Sequence, residues 1–201
     1  MAALSELYRE MASCQSCGLA QHRTQVVPGE GTVDTDILFV GEAPGYNEDR
    51  LGRPFVGAAG VFLDGLLASI GMGRSDVYIA NIIKCRPPGN RDPGPGEIAA
   101  CKPWLDRQME MIRPKVIVTL GRVSLSRFRP NESISKVHGK PIRMGEFVLF
   151  PMYHPAAALH QGGLRNTLES DMLLLPKILK ELRSIDAVSR GDDSHQQLTL
   201  F

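Results

Sequence analysis

Four short apolar runs constrain this chain more than any other feature: Ile37-Leu38-Phe39-Val40, Val77-Tyr78-Ile79-Ala80, Val116-Ile117-Val118-Thr119-Leu120 and Phe147-Val148-Leu149-Phe150. Each is shorter than an ordinary buried helix and continuous rather than alternating, the pattern of a strand covered on both faces. Segments with helical potential lie between or after them, near 58–70, 97–112, 121–128 and 166–184. Strands separated by helices are joined by crossovers and pair in parallel, which predicts an α/β sheet covered on both sides. Leu4, Leu7, Tyr8 and Met11 fall at i, i+3, i+4 and i+7 and predict a further helix near the N-terminus. The segment 133–146 is polar and irregular, a hairpin or a short helix.

A length of 201 residues with 43% apolar content suits one buried domain. Its expected extent is 1–184, with 185–201 a polar, flexible tail. No signal-like run opens the chain and no stretch approaches the ~18 apolar residues of a membrane span, so a soluble, cytoplasmic protein is expected. The formal net charge of +1 leaves any affinity for a polyanion to local basic clusters.

Unusual polar residues sit just after each apolar run. GEAPGYNEDRLGRPFVG, residues 41–57, follows the first, and Asn81 ends the second. Gly121-Arg122 follow the third and His154-Pro155 the fourth. Open α/β sheets bind ligands beyond the carboxyl ends of their strands, so these groups converge on one edge. Singly, each has a plainer account: Glu42 as a cap, Gly41, Pro44 and Gly45 as a turn, Asn81 as a partner for loop backbone, His154 as a structural histidine. Together they fit one chemistry. An Asn side chain presents a donor and an acceptor in one plane and matches an imide edge such as that of uracil. Phe55 can stack on a flat heterocycle, and His154 can donate to an oxygen on which charge grows as a glycosidic bond breaks. The base has to leave the helix stack to reach such a pocket.

The cysteines are Cys14, Cys17, Cys85 and Cys101, a C-x2-C pair and a distant C-x15-C pair. In a reducing compartment two structural disulfides are disfavoured. Four thiolates match a tetrahedral zinc or a cubane iron–sulfur cluster, ordinary buried thiols are the plainer alternative, and spacing does not choose between the metals.

The ordered set C-x2-C, GEAPGYNEDRLGRPFVGAAG, IANIIKCRPPGNRDP, Cys101 and HPAAAL resembles the family 4 uracil-DNA glycosylases, the iron–sulfur class of many bacteria and archaea, over residues 14–180. The resemblance implies a four-stranded parallel sheet in a three-layer α/β/α sandwich and a 4Fe-4S cluster on Cys14, Cys17, Cys85 and Cys101. It implies that Asn81 reads uracil, Phe55 stacks on it and His154 supports the departing oxygen. Gly41, Glu42 and Ala43 would line the base pocket, with Glu42 placing or activating water. Glu48 would wall the ring near C5, and Asp49 completes the acidic loop. Ala43 stands where the family 1 pattern carries an Asp, so a carboxylate base cannot act from that position.

Uracil-containing DNA is the partner implied, acted on by a monomer in a bacterial or archaeal cytoplasm. Leu159, in His154-Pro155-Ala156-Ala157-Ala158-Leu159, is the candidate wedge for the vacated stack, with a core-facing leucine as the alternative. Pro155, Ala156, Arg86, Arg91 and Arg165 are the other candidate DNA contacts, with Lys84, Lys136, Lys140 and Arg143 as further cations. The terminal Gln197-Leu198-Thr199-Leu200-Phe201 resembles the pentapeptide that docks on the bacterial sliding clamp, which assigns partner binding to Gln197, Leu198, Leu200 and Phe201. Two other functions compete: a non-catalytic iron–sulfur DNA-binding module recruited to a replication protein, and a zinc-stabilised hydrolase of small nucleosides.

Overall fold

The computed structural model describes residues 2–196. Its strands are β1 (Glu30–Gly31), β2 (Ile37–Gly41), β3 (Tyr78–Asn81), β4 (Val116–Leu120), β5 (Ile142–Met144) and β6 (Phe147–Met152). The helices are α1 (Ala2–Ala12), α2 (Tyr46–Leu51), α3 (Ala58–Ser69), α4 (Pro95–Ile112), α5 (Arg122–Ser126), α6 (Ile134–Val137), α7 (Pro155–His160), α8 (Gly162–Met172) and α9 (Leu175–Gln196). The sheet order is β1-β3-β2-β4-β6-β5.

The expected four parallel strands form the centre, β3-β2-β4-β6, and two antiparallel edge strands bring the sheet to six. β1 and β5 span two and three residues, too short to show a repeat in sequence. The polar stretch 133–146 contains both forms considered for it: α6 is the short helix, and β5 turns through Gly145 (φ 61°) into β6 as a hairpin. The helix expected over 166–184 is two. α8 ends at Met172 and α9 begins at Leu175, with Pro176 tolerated in a first turn but not inside a continuous helix. No proline follows Pro176, and α9 carries residues 185–196, expected as flexible tail, in helix; 197–201 lie outside the described residues.

Side chains alternate between the two faces of the sheet. Ile37, Phe39, Ile79, Val118 and Phe150 pack with Leu63 and Leu67 of α3, Leu168 and Met172 of α8 and Leu179 of α9. Leu38, Val40, Ala80, Ile117 and Leu149 pack with Leu105 and Ile112 of α4 and Leu125 of α5, with Leu4 and Tyr8 of α1 against their edge. A continuous apolar run is therefore required of each central strand: odd and even positions enter different cores. No helix among the described residues is long and apolar enough to cross a membrane.

The parallel register sets Gly41 opposite Asn81. Both lie where their strands end, and the loop after β2 folds over that edge and re-enters α3 through Phe55. Gly60 permits this: a Cβ there would lie 1.7 Å from the Phe55 carbonyl oxygen. Gly65, one and a half turns on, faces open space.

One substitution in one helix should therefore have opposite effects. Gly60→Ala should cost about 3 kcal/mol, the upper end of the usual overpacking range, because backbone itself must move, whereas Gly65→Ala should add roughly 0.5–1 kcal/mol through helix propensity. Urea unfolding midpoints check both, and a Gly60→Ala protein as stable as wild type contradicts the packing described.

Candidate active site

The β2–α3 loop is tied down by the carboxylate of Glu48. One oxygen accepts N–H bonds from Val56 (2.8 Å) and Gly57 (2.9 Å), and the other accepts from Gly45 (3.1 Å). Glu48 thus joins the two ends of the loop, and its oxygens are engaged by backbone even though it also lines the pocket. Asp49 is buried and takes the Thr24 N–H on both oxygens (2.9 and 3.1 Å), fixing α2 to the N-terminal segment rather than handling water.

Phe55 has φ 53°, a left-handed conformation that costs a bulky residue on the order of 1–3 kcal/mol unless its surroundings impose it. Arg74 supplies the restraint. Its guanidinium donates to the carbonyls of Pro54 (2.9 Å) and Phe55 and pairs with Asp64 (2.7 Å). The Phe55 ring then lies nearly parallel to that of His154, with centroids 5.7 Å apart and 28° between the planes. Nothing in the sequence around Arg74 marks it for this task, because its partners are backbone oxygens of a distant loop.

Asn81 is 2% exposed, and its side-chain carbonyl Oδ1 finds no donor among the described residues. Leaving such an acceptor bare inside a fold costs about 1–3 kcal/mol. Gly41 makes room for it: a Cβ there would stand 2.3 Å from Oδ1 and 2.6 Å from the Phe55 ring. The glycine is a close-approach position that any side chain would fill.

His154 caps α7, its Nδ1 accepting the Ala156 N–H at 3.2 Å. The neutral ring then carries its proton on Nε2. Desolvation lowers its pKa from 6.5 to about 4, against a smaller upward pull from the Glu48 carboxylate. Because the folded pKa is the lower one, the unfolded chain takes up the proton first, and this contribution to stability is lost as pH falls from 6.5 toward 4. Glu42 moves upward from 4.5, through desolvation first and the charge of Asp92 second, with Arg122 opposing.

Glu42, Ala43, Glu48, Phe55, Asn81 and His154 line one open pocket of about 450 Å3, with Arg91 and Ala156 at its walls. Gly41, expected to line the pocket, is not among its lining residues and packs behind Asn81 and Phe55. Arg91 is already paired bidentately with Glu97 (2.9 and 2.7 Å), and Arg86 bonds Asn90 (2.7 Å) and lies over the Tyr46 ring at the same mouth. Leu159 is 47% exposed, so the core-facing alternative fails, while Pro155 is buried. Leu159 and Arg165 line an adjoining groove with Val61 and Phe62, Arg165 lying over the Phe62 ring and pairing with Glu169 (3.1 Å). Lys136, Lys140 and Arg143 belong to α6, the turn after it and β5, and none of them lines the pocket. Lys84 is not a surface cation: at 1% exposure it is one of the most buried side chains present. The basic look of the loop around it hides that Ile82, Ile83 and Lys84 turn inward beneath α4.

Cys14, Cys17, Cys85 and Cys101 line a single narrow cavity on the α4 side, with Met11, Leu19 and Trp104; Cys85 and Cys101 are buried and Cys14 and Cys17 half-buried. Its charged lining residues are Arg23 and Lys84, both cationic. Arg23 donates to Cys85 Sγ (3.3 Å) and the Lys84 N–H to Cys101 Sγ (3.3 Å). Among the described residues no three His, Cys, Asp or Glu side chains converge as a single-ion site would require. The clamp-like residues Gln197, Leu198, Leu200 and Phe201 lie outside the described residues.

Comparison with known proteins agrees with this geometry. Residues 28–174 match the uracil DNA glycosylase superfamily. The chain is 51% identical over 181 residues to a type-4 uracil-DNA glycosylase of Sulfurisphaera tokodaii, covering 85% of this chain and 82% of the relative. It is 50% identical over 172 residues to the type-4 enzyme of Saccharolobus solfataricus (81% and 80% covered) and 49% identical over 181 residues to that of Archaeoglobus fulgidus (85% and 90%). With the family matched across the sheet and its edge, and type-4 relatives matched over most of their length, this chain belongs to the uracil DNA glycosylase superfamily, in its type-4 group.

Proposed function

We propose that this protein removes uracil from DNA by hydrolysing the N-glycosidic bond, releasing free uracil and leaving an abasic site. The observation that carries the reading is Asn81, which lines the pocket and whose buried Oδ1 has no donor among the described residues. The N3–H of uracil is the donor it lacks, and the amide NH2 can donate to the neighbouring uracil carbonyl. Cytosine offers an acceptor where uracil has N3–H, so the same amide discriminates against it. The names of the type-4 relatives support this substrate. A non-catalytic DNA binder has no use for such a pocket, and the alternative is not favoured.

The nucleotide is held out of the stack with its base against Phe55, and exposed Leu159 fills the gap left behind. As the C1′–N1 bond breaks, its electron pair passes to the base and negative charge gathers on the uracil oxygen facing His154. The neutral imidazole donates Nε2–H to that oxygen without giving up the proton. Water then bonds to C1′ of the oxocarbenium-like sugar, and its proton goes to the Glu42 carboxylate and on to solvent. Ala43 has no carboxyl group, which leaves Glu42 as the group that places the water. Glu48 shapes the loop through three backbone N–H groups, and in this reading it walls the ring near C5. Arg86, Arg91 and Arg165 reach phosphate by exchanging their present partners, which makes binding salt-dependent.

We infer a 4Fe-4S cluster on Cys14, Cys17, Cys85 and Cys101. The four sulfurs around one cavity, cationic neighbours and N–H donors to sulfur support a thiolate-held centre, and the choice of a 4Fe-4S cluster over zinc rests on the family resemblance of the cysteine set. Bound, it would cross-link the N-terminal segment, the loop after β3 and α4; the hydrolysis uses no electrons. We also propose that Gln197-Leu198-Thr199-Leu200-Phe201 docks on a sliding clamp in a bacterial or archaeal cytoplasm.

A uracil-containing oligonucleotide incubated with the protein and then treated with alkali should be cut at the uracil, with thymine-containing DNA and free deoxyuridine untouched. Asn81→Ala and His154→Ala should each lose most of the activity, on the order of 10²-fold or more, and a fully active Asn81→Ala protein refutes the pocket. The wild-type rate should show no inflection at the ordinary histidine pKa of 6.5, since His154 stays neutral to about 4, and should fall in acid as Glu42 protonates above its ordinary 4.5. An inflection at 6.5 contradicts the neutral donor.

Deletion of residues 197–201 should leave excision intact and abolish clamp binding in a pull-down. Unchanged clamp affinity contradicts the docking peptide.

A further inference from the structure

Lys84 stands between the cysteine cavity and the base pocket. Its backbone N–H faces Cys101 Sγ, while its ammonium donates to the backbone carbonyl of Asn81 (2.8 Å) and to Gln108 Oε1 (2.6 Å). Gln108 is fully buried and held from behind, its amide donating to Tyr78 Oη (2.9 Å) and the Pro28 carbonyl (2.8 Å). Tyr78 Oη in turn bonds Tyr8 Oη of α1. The lysine is thus the end of a polar chain that crosses the α4 face of the sheet and stops at the residue carrying the bare amide.

A buried ammonium needs a compensating charge. Among the described residues no ion pair joins Lys84 to a carboxylate, and its hydrogen-bond acceptors are neutral oxygens. The cavity it lines holds four thiols and no acid, with Arg23 as its other charged residue. Four thiolates around a metal core keep a net negative charge, which buried Lys84 and half-buried Arg23 are placed to offset. We infer that Lys84 couples the cysteine centre to uracil recognition: it is the counter-cation of the cluster on one side and a positioning residue for Asn81 on the other. This rests on the pocket and cluster proposed above. It makes the cluster more than a cross-link, because loss of its charge leaves the ammonium uncompensated and slackens the hold on the Asn81 backbone.

The test uses the full-length protein loaded with cluster, verified by iron and sulfide content, and the variants Lys84→Met and Gln108→Met. Removing the positive charge in Lys84→Met should make the cluster's midpoint potential more negative, an effect that a purely structural role would not produce. It should also lower kcat for uracil excision by on the order of 10- to 100-fold with KM changed by less than about threefold, because phosphate contacts survive while the base-reading amide is misplaced. Gln108→Met keeps the charge and loosens its anchor; it should lower kcat several-fold, about 3- to 10-fold, and leave the potential near that of wild type. Wild-type potential and kcat in Lys84→Met overturn the inference. If Lys84→Met fails to load, Gln108→Met decides: a wild-type kcat there overturns the coupling. A wild-type protein that excises no uracil refutes the reading of the pocket instead, and the potential shift alone then decides the role of Lys84.

Discussion

A carbonyl oxygen sealed inside a protein without a donor is an expense that folding alone does not justify, and Asn81 Oδ1 is such an atom. The surrounding residues hold it bare. Gly41 leaves room that any Cβ would fill, Phe55 is held in a left-handed conformation that turns its ring alongside, and the strand register sets Gly41 and Asn81 opposite each other. The penalty in the free protein becomes selectivity when a ligand supplies the donor, because an analogue lacking it leaves the oxygen as unsatisfied as before.

The loop after β2 illustrates a division of labour among acids that are neighbours in sequence. Glu48 spends its carboxylate on three backbone N–H groups and Asp49 on one, so both act on shape. The Glu42 carboxylate has no such backbone bonds among the described residues and lies partly desolvated in the pocket, which is why the proposed mechanism gives it the water. On the far side, His154 is kept neutral and its tautomer is set by a backbone donor of its own helix. A neutral donor stabilises charge that arises only as the bond breaks, whereas an imidazolium would interact with DNA phosphates before the reaction begins.

The centre of the fold was legible because strands buried on both faces are apolar almost throughout, as β2 and β6 are and as β4 is but for Thr119. Asn81 and His154 stood out for a related reason, being polar groups at the carboxyl ends of such strands. β1 was not legible, since two edge residues carry no periodicity, and β5 was foreseen only as one arm of the hairpin considered for 133–146. Side chains whose partners are distant in sequence were misjudged or missed. Lys84 sits in KCRPPGN and reads as part of a basic loop, yet it is buried under Gln108, 24 residues on. Gln108 resembles any polar helix residue, and Arg74 works through the carbonyls of Pro54 and Phe55. Glu48 lines the pocket, but its backbone partners lie at both ends of a loop whose closure only the fold reveals.

In the proposed reading a planar amide waits for the imide edge of uracil, and a crystal structure of the protein with free uracil would display that contact or its absence. The ring should lie against Phe55 with N3 in hydrogen-bond distance of Asn81 Oδ1 and a carbonyl oxygen facing Nε2 of His154. A uracil bound elsewhere, or bound in the pocket with Oδ1 still lacking a donor, would contradict the account.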